Sequence, residues 1–196
     1  MGTIVQLKHV RIAFIDDLFV PQQFEPGKGD YRHTCSFIVA PGSANDKAVQ
    51  EAIQKEAVGA WAKKADAMLE DLRGDKKNYA YQKNKRGSNG EIYDGFEDMY
   101  ALSGVRKQKD GAPLFLHNIK DEATGKAKRL NGTEGVIYAG CYVNAKVEMW
   151  AQSGAYRGIR CGILGVQFDA PGDSFGGASR PTDDGFDSVE AEDDLA

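Results

Sequence analysis

Cysteine, histidine, tryptophan and proline are scarce in this 196-residue chain, at three, three, two and six residues. No run approaches the roughly 18 consecutive apolar residues that a membrane-spanning helix needs. The opening Met1, Gly2, Thr3, Ile4, Val5, Gln6 carries no basic segment ahead of an apolar block. Neither secretion nor membrane insertion is expected, and a cytoplasmic setting is. The cysteines Cys35, Cys141 and Cys161 are odd in number and far apart, in apolar alternating segments, which excludes a disulfide framework and reads as reduced core. His9, His33 and His117 lie on separate segments, and CxxC, HExxH and GxxxxGK[ST] are missing. The GxSxG spacing at residues 172–176 falls in a stretch expected to lack a rigid frame. No catalytic residue, metal site or cofactor is assigned, and an enzyme is not expected.

Charge of one sign is also missing from most of the chain's end. From residue 169 onward nine acids face the single base Arg180, whereas residues 1–168 hold 24 bases and 20 acids. A net charge of −4 therefore hides a basic body and an acidic tail. The tail acids Asp183, Asp184, Asp187, Glu190, Glu192, Asp193 and Asp194 sit among Gly, Ser and Pro, a composition too poor in apolar surface to offset chain ordering. Two units are expected, a folded domain over residues 1–168 and a flexible acidic tail over 169–196.

The folded part reads as mainly β. Residues 3–16 form a long strand whose apolar parity changes from Val5 and Leu7 to Val10, Ile12 and Phe14, so a bulge is expected near Lys8 and His9. Residues 31–40 are a second strand, with Tyr31, Cys35, Phe37 and Val39 opposite Arg32, Thr34 and Ser36. A helical insertion at about 43–73, capped by Ser43 or Asn45, places Val49, Ile53, Ala57, Leu69 and Leu72 on one face. Further strands are expected at 99–107, 114–117 and 135–139. The last two strands, 141–152 and 156–168, alternate so clearly that both odd-numbered apolar sets share a face only if the loop near Ser153, Gly154 and Ala155 has an odd number of residues; three fit. Their other face then carries Tyr142, Lys146, Trp150, Tyr156 and Arg160.

Two features of the body join cations to flat rings. Residues 76–86 hold five bases, including Lys83, Lys85 and Arg86, around Tyr79 and Tyr81 with no acid between. The outer face of the final hairpin sets Trp150 and Tyr156 beside Lys146 and Arg160. Cations release counterions from phosphates and rings stack on bases, so the pairing suits an unpaired nucleic-acid strand. Arg106, Lys107 and Lys109 form a further basic cluster, and Lys126, Lys128 and Arg129 another, both expected in turns. Each feature alone also fits hydrated surface, and the hairpin rings also fit a covered core face. The acidic tail adds to the nucleic-acid reading, because a tethered polyanion can occupy a cationic groove until a strand displaces it.

The stretches Lys8-His9-Val10-Arg11-Ile12-Ala13-Phe14 and Tyr31-Arg32-His33-Thr34-Cys35-Ser36-Phe37 resemble the opening of a tailed-bacteriophage family of single-stranded-DNA-binding proteins. Gly140-Cys141-Tyr142-Val143-Asn144 and Leu164-Gly165-Val166-Gln167-Phe168 resemble its closing motif. The resemblance implies an OB-fold-like antiparallel β-barrel enlarged by an inserted amphipathic helix. It also implies a non-catalytic protein that coats unpaired DNA in phage replication or recombination, inside the infected host and with little sequence preference. The bent first strand and lone helical segment agree with such a barrel. Candidate DNA contacts are Tyr79, Tyr81, Lys83, Lys85, Arg86, Arg106, Lys107, Lys109, Lys146, Trp150, Tyr156 and Arg160, with the tail acids offered to replication or recombination proteins. An RNA-binding barrel and an oligomeric protein-interaction module are the alternatives, a nuclease the weakest rival, and homo-oligomers fit either main reading.

Overall fold

The parity change in the first strand is where the barrel turns its corner. In the computed structural model, which describes residues 2–175, β1 (Thr3–Ala13) pairs with β7 (Tyr142–Gln152), with a register shift between Leu7 and Val10. His9 takes a left-handed φ of 51° in that bulge. The far end of β1, Arg11 to Ala13, pairs with β2 (Arg32–Val39). One bent strand thus serves two sides of the barrel. Asn45 does not cap the helix; its side chain accepts from Lys8 N and donates to Lys8 O, filling the bulge, while Ser43 Oγ caps by accepting from Asp46 N at 3.1 Å.

The ring closes through β2, then β4 (Tyr100–Lys107), which meets β8 (Gly158–Ala170) in parallel at Val105 and Gly162, while β8 runs antiparallel to β7. This five-stranded closure is OB-like. The short β3 (Tyr81–Lys83) occupies the same edge of β4 ahead of β8, and β5 (Leu114–Lys120) with β6 (Ala127–Arg129) extends the sheet beyond β8. Leu7, Val10, Ile12, Phe37, Val39, Leu102, Val143, Val147, Met149, Ile159 and Ile163 fill the interior. Cys35, Cys141 and Cys161 are buried there.

The helical insertion is two helices. α1 (Ala44–Trp61) and α2 (Ala65–Leu72) are joined by a 3-10 turn, Ala62–Lys64, where Ala62 has a φ of 50°. Val49, Ile53 and Ala57 bury one face of α1 in the main core, beside β1 and β7. Gly59 lies inside α1 and does not break it. Among the described residues no helix is long and apolar enough to cross a membrane.

Several expectations are corrected. Residues 135–139 form no strand, although Ile137 is buried. Ala127–Arg129 is strand, and Arg106 and Lys107 end β4 before the 3-10 turn Gln108–Asp110. The β7–β8 loop has the required odd parity but runs over 153–157, which puts Tyr156 at the hairpin tip. Ser36 and Ile38, on the polar side of the second strand, are buried because residues 84–99 cover that face through Phe96. Packed chain also continues beyond Phe168: β8 reaches Ala170, and Phe175 stacks under the Arg11 guanidinium while its N–H donates to Ala139 O.

Candidate nucleic-acid interface

A groove of about 770 Å³ crosses the outer face of the barrel where β4, β8 and β7 meet. Its floor is set by register. Val105 lies beside Gly162, and Gly162 lies opposite Glu148, next to the cross-strand pair Trp150 and Arg160. Gly162 leaves the space over which the indole lies, since a Cβ there would stand 3.1 Å from Trp150 Cζ3. At Gly158 a Cβ would meet Asn78 O at 2.3 Å, so only glycine lets the 75–80 loop approach β8. The loop is then laced on by Ile159 N donating to Asn78 O at 2.8 Å and Ala80 N donating to Ile159 O at 3.1 Å.

Eight basic side chains line the groove against two acids, Asp110 and Glu148. That excess makes the lining electropositive. Of the residues singled out in the sequence, Tyr79, Lys85, Arg86, Arg106, Lys107, Trp150, Tyr156 and Arg160 meet here. Tyr156 is 74% exposed at the hairpin tip, and Trp150 and Tyr79 are half-buried. Burial pushes the Tyr79 phenol up, against the pull of Arg73.

The cations play different parts. Arg160 donates to Lys77 O at 2.7 Å, Asn78 Oδ1 at 2.8 Å and Tyr156 O at 3.1 Å, tying the wall loop to the hairpin. Arg106 donates to Gly111 O and Asp110 O and so holds the turn after β4. Lys107 pairs with Asp30 at 2.8 Å, and its hydrogen bond holds the Asp30 carboxyl below the usual range. Lys85 Nζ donates to Ser36 Oγ at 2.7 Å and Ser103 Oγ at 2.9 Å and sits 4.7 Å from the Phe14 ring centroid. Burial pushes its ammonium below the ordinary lysine value.

Four candidates lie elsewhere. Tyr81 is buried, stacks on Tyr100 and donates to Asp46 Oδ1 at 2.8 Å, so its ring offers no face to a base. Lys83 stands 3.8 Å from Asp98 and lines a separate depression beside Tyr100. Lys109 reaches Asp30 at 3.7 Å, outside the groove lining. Lys146 lines a second, apolar furrow with Lys8, Leu114 and Leu164. The tail acids Asp183 to Asp194 lie outside the described residues.

Arg32, Lys76 and Lys77 also line the groove and were missed. Lys76 and Lys77 stood in the basic run, and Asp75 presents them by accepting from Lys77 N and Asn78 N at 2.9 and 3.1 Å in a tight turn. Arg32 stood on the polar side of the second strand, but only its pairing with Lys107 brings it to the groove.

A family profile described as Enterobacter phage Enc34, ssDNA-binding protein, matches residues 3–196. The chain belongs to this family. Protein p50 of Acyrthosiphon pisum secondary endosymbiont phage 1 is 30% identical to this member of the Enc34 family over 194 residues, 98% of this chain and 94% of p50. The single-stranded DNA-binding protein from bacteriophage Enc34, solved in complex with ssDNA, superposes with a TM-score of 0.65 at 17% identity, covering 88% of this chain and 89% of that one. The single-stranded DNA-binding protein gp2.5 of bacteriophage T7 superposes at 0.54 with 12% identity over 100% of both chains. At these identities the two structures speak for the shared barrel fold.

Proposed function

We propose that this protein coats unpaired DNA in phage replication or recombination, without catalysis and with little base preference, by laying the strand in the groove across β4, β8 and β7. The carrying observation is the gathering of eight basic side chains around Trp150, Tyr79 and Tyr156 in one surface furrow. Cations give affinity through counterion release, while the rings favour splayed bases over a stacked duplex. Few side chains along this floor offer the paired donor and acceptor that reads one base edge. Lys85, Arg86, Lys76, Lys77, Lys107 and Arg32 face the phosphates, and Arg160 and Arg106 keep the walls in place. The acidic residues 183–194 compete for the groove or recruit replication and recombination proteins, a reading supported by the opposite net charges of body and tail. The protein acts in the cytoplasm of the infected host.

A gel-shift comparison of unpaired DNA, duplex DNA and RNA of one sequence across salt tests this. The unpaired DNA is retained most tightly, with affinity falling linearly against log salt. Equal retention of duplex would remove the role of the rings, and tighter retention of RNA would shift the assignment to the 2′-hydroxyl polymer.

A further inference from the structure

Phe24 is 91% exposed, the most exposed large apolar residue among those described, yet the segment that carries it is tightly built. Gln22 and Arg32 exchange backbone hydrogen bonds at 3.1 and 2.9 Å. The Gln23 side chain accepts from Gly27 N and donates to Gly29 O, both at 2.8 Å. Lys28 N donates to Glu25 O at 3.0 Å, and the two side chains form an ion pair at 3.1 Å. Residues 22–32 are therefore a rigid ribbon that presents a phenyl ring to water.

The ribbon grows from the groove. Arg32, at its base, lines the groove beside Lys107, and Lys107 and Lys109 both hold Asp30 in the ribbon. Gln108 N donates to Tyr31 O at 2.9 Å, and the Tyr31 ring is 47% exposed. Phe24 lies two residues beyond the Gln22–Arg32 bridge, at the closed end of the ribbon. The charges near it are already matched, Glu25 with Lys28 and Asp30 with two lysines. Such a tip attracts a nucleobase face and leaves phosphates to the groove. A backbone already closed before binding also loses little freedom when a base stacks on the ring it carries.

We propose that Phe24, with Tyr31 behind it, is a stacking finger that takes a base of the same DNA strand as it leaves the Lys107 end of the groove. This rests on the single-stranded-DNA reading and extends it to a second binding element, opposite in the groove to the Tyr156 tip.

The test is the affinity of the full chain for oligo-dT of increasing length, measured for wild type, Phe24→Ala, Tyr31→Ala and Phe24→Trp. Phe24→Ala weakens binding of long oligonucleotides by about 5- to 100-fold with an unchanged salt slope, because stacking releases no counterions. It leaves binding of oligonucleotides too short to reach the ribbon, and the melting temperature, as they were. Phe24→Trp restores the affinity and adds an indole emission that DNA quenches. Unchanged affinity of Phe24→Ala at every length overturns the proposal. So does a loss confined to self-association with single-copy binding intact, which would make Phe24 a protein contact. Failure of wild type to retain any oligonucleotide overturns the DNA reading itself, and the finger with it.

Discussion

The indole of Trp150 lies across Gly162 on the neighbouring strand, at a spacing where a Cβ on residue 162 would stand 3.1 Å from Cζ3. Trp150 also lines the groove, the position a stacking platform needs. Trp150→Ala is expected to weaken unpaired-DNA binding by about 1–3 kcal/mol. Gly162→Val, which lifts the ring, loses a similar amount. In a Trp61→Phe background, tryptophan quenching by oligo-dT reads Trp150 alone. No quenching in the Trp61→Phe protein, or unaltered affinity of Trp150→Ala, would take this ring out of the site.

Arg160 and the pair Lys76 and Lys77 should separate in their salt dependence. Arg160 gives its hydrogen bonds to Lys77 O, Asn78 Oδ1 and Tyr156 O, so it shapes the groove wall. Lys76 and Lys77 are exposed on that wall. Replacing both lysines with Met lowers the slope of log affinity against log salt by about two, one for each lost phosphate contact. Arg160→Gln lowers affinity with a smaller change of slope and speeds amide exchange at Asn78 and Tyr79. Identical slopes for the two variants would contradict the division of roles.

Tyr81 tests the boundary of the site from the other side. Its hydroxyl, the Gln50 side chain at 2.7 Å and Gly42 N at 2.7 Å all donate to the Asp46 carboxylate. Burial alone would raise this carboxyl, yet the three donors outweigh it and the group titrates below the ordinary aspartate value. Its stabilising effect is thus present above the unfolded-state pKa near 4 and is lost as pH falls through the lower folded value. Tyr81→Phe should reduce stability by about 1–3 kcal/mol and move acid unfolding to higher pH. DNA affinity should not change. A loss of affinity without a loss of melting temperature would return Tyr81 to the interface.

Tyr81 also shows where sequence reading stops. A strand with one face in the core repeats with period two, so β7, β8 and the bulge in β1 were visible as parity in Cys141, Val143 and Val147 or in Leu7 and Val10. The odd length of the hairpin loop followed from the same parity. Whether a tyrosine in a basic run faces solvent depends on an aspartate 35 residues earlier, and no local pattern carries that. Arg32 and Phe24 were illegible for a related reason: their importance comes from the pairing with Lys107 and the closed ribbon around Gln23. Residues 135–139 failed because an apolar stretch can be buried without hydrogen-bonded neighbours on either side.

Lys85 should make binding sensitive to alkaline pH. Burial lowers its pKa in the free protein, and the hydroxyls of Ser36 and Ser103 supply no negative charge to restore it. A phosphate in the groove favours the charged form, so affinity is greatest while Lys85 is protonated and falls as pH rises through its lowered pKa, before the exposed lysines titrate. Titrations at fixed salt from about pH 7 to 10 should show an early loss in wild type that Lys85→Arg abolishes, since arginine stays charged throughout. Coincident profiles would mean that Lys85 does not face the strand.

The position of any tail truncation decides what it reports. Arg11 donates to Asp173 O and lies 4.1 Å over the Phe175 ring, and Tyr138 hydroxyl donates to Gly172 O at 2.9 Å, so residues 172–175 belong to the barrel's packing. Cutting after Phe168 removes those contacts along with the acids and lowers the melting temperature. Cutting after Phe175 removes seven acids and Arg180 while leaving the packing intact. If the acidic stretch competes for the cationic groove, the Phe175 truncation binds unpaired DNA several-fold more tightly at low salt. The advantage fades as the Debye length contracts from about 10 Å at 0.1 M towards about 3 Å at 1 M. Equal or weaker binding at matched low salt, with an unchanged melting temperature, would show that the acids act on other proteins and leave the groove alone.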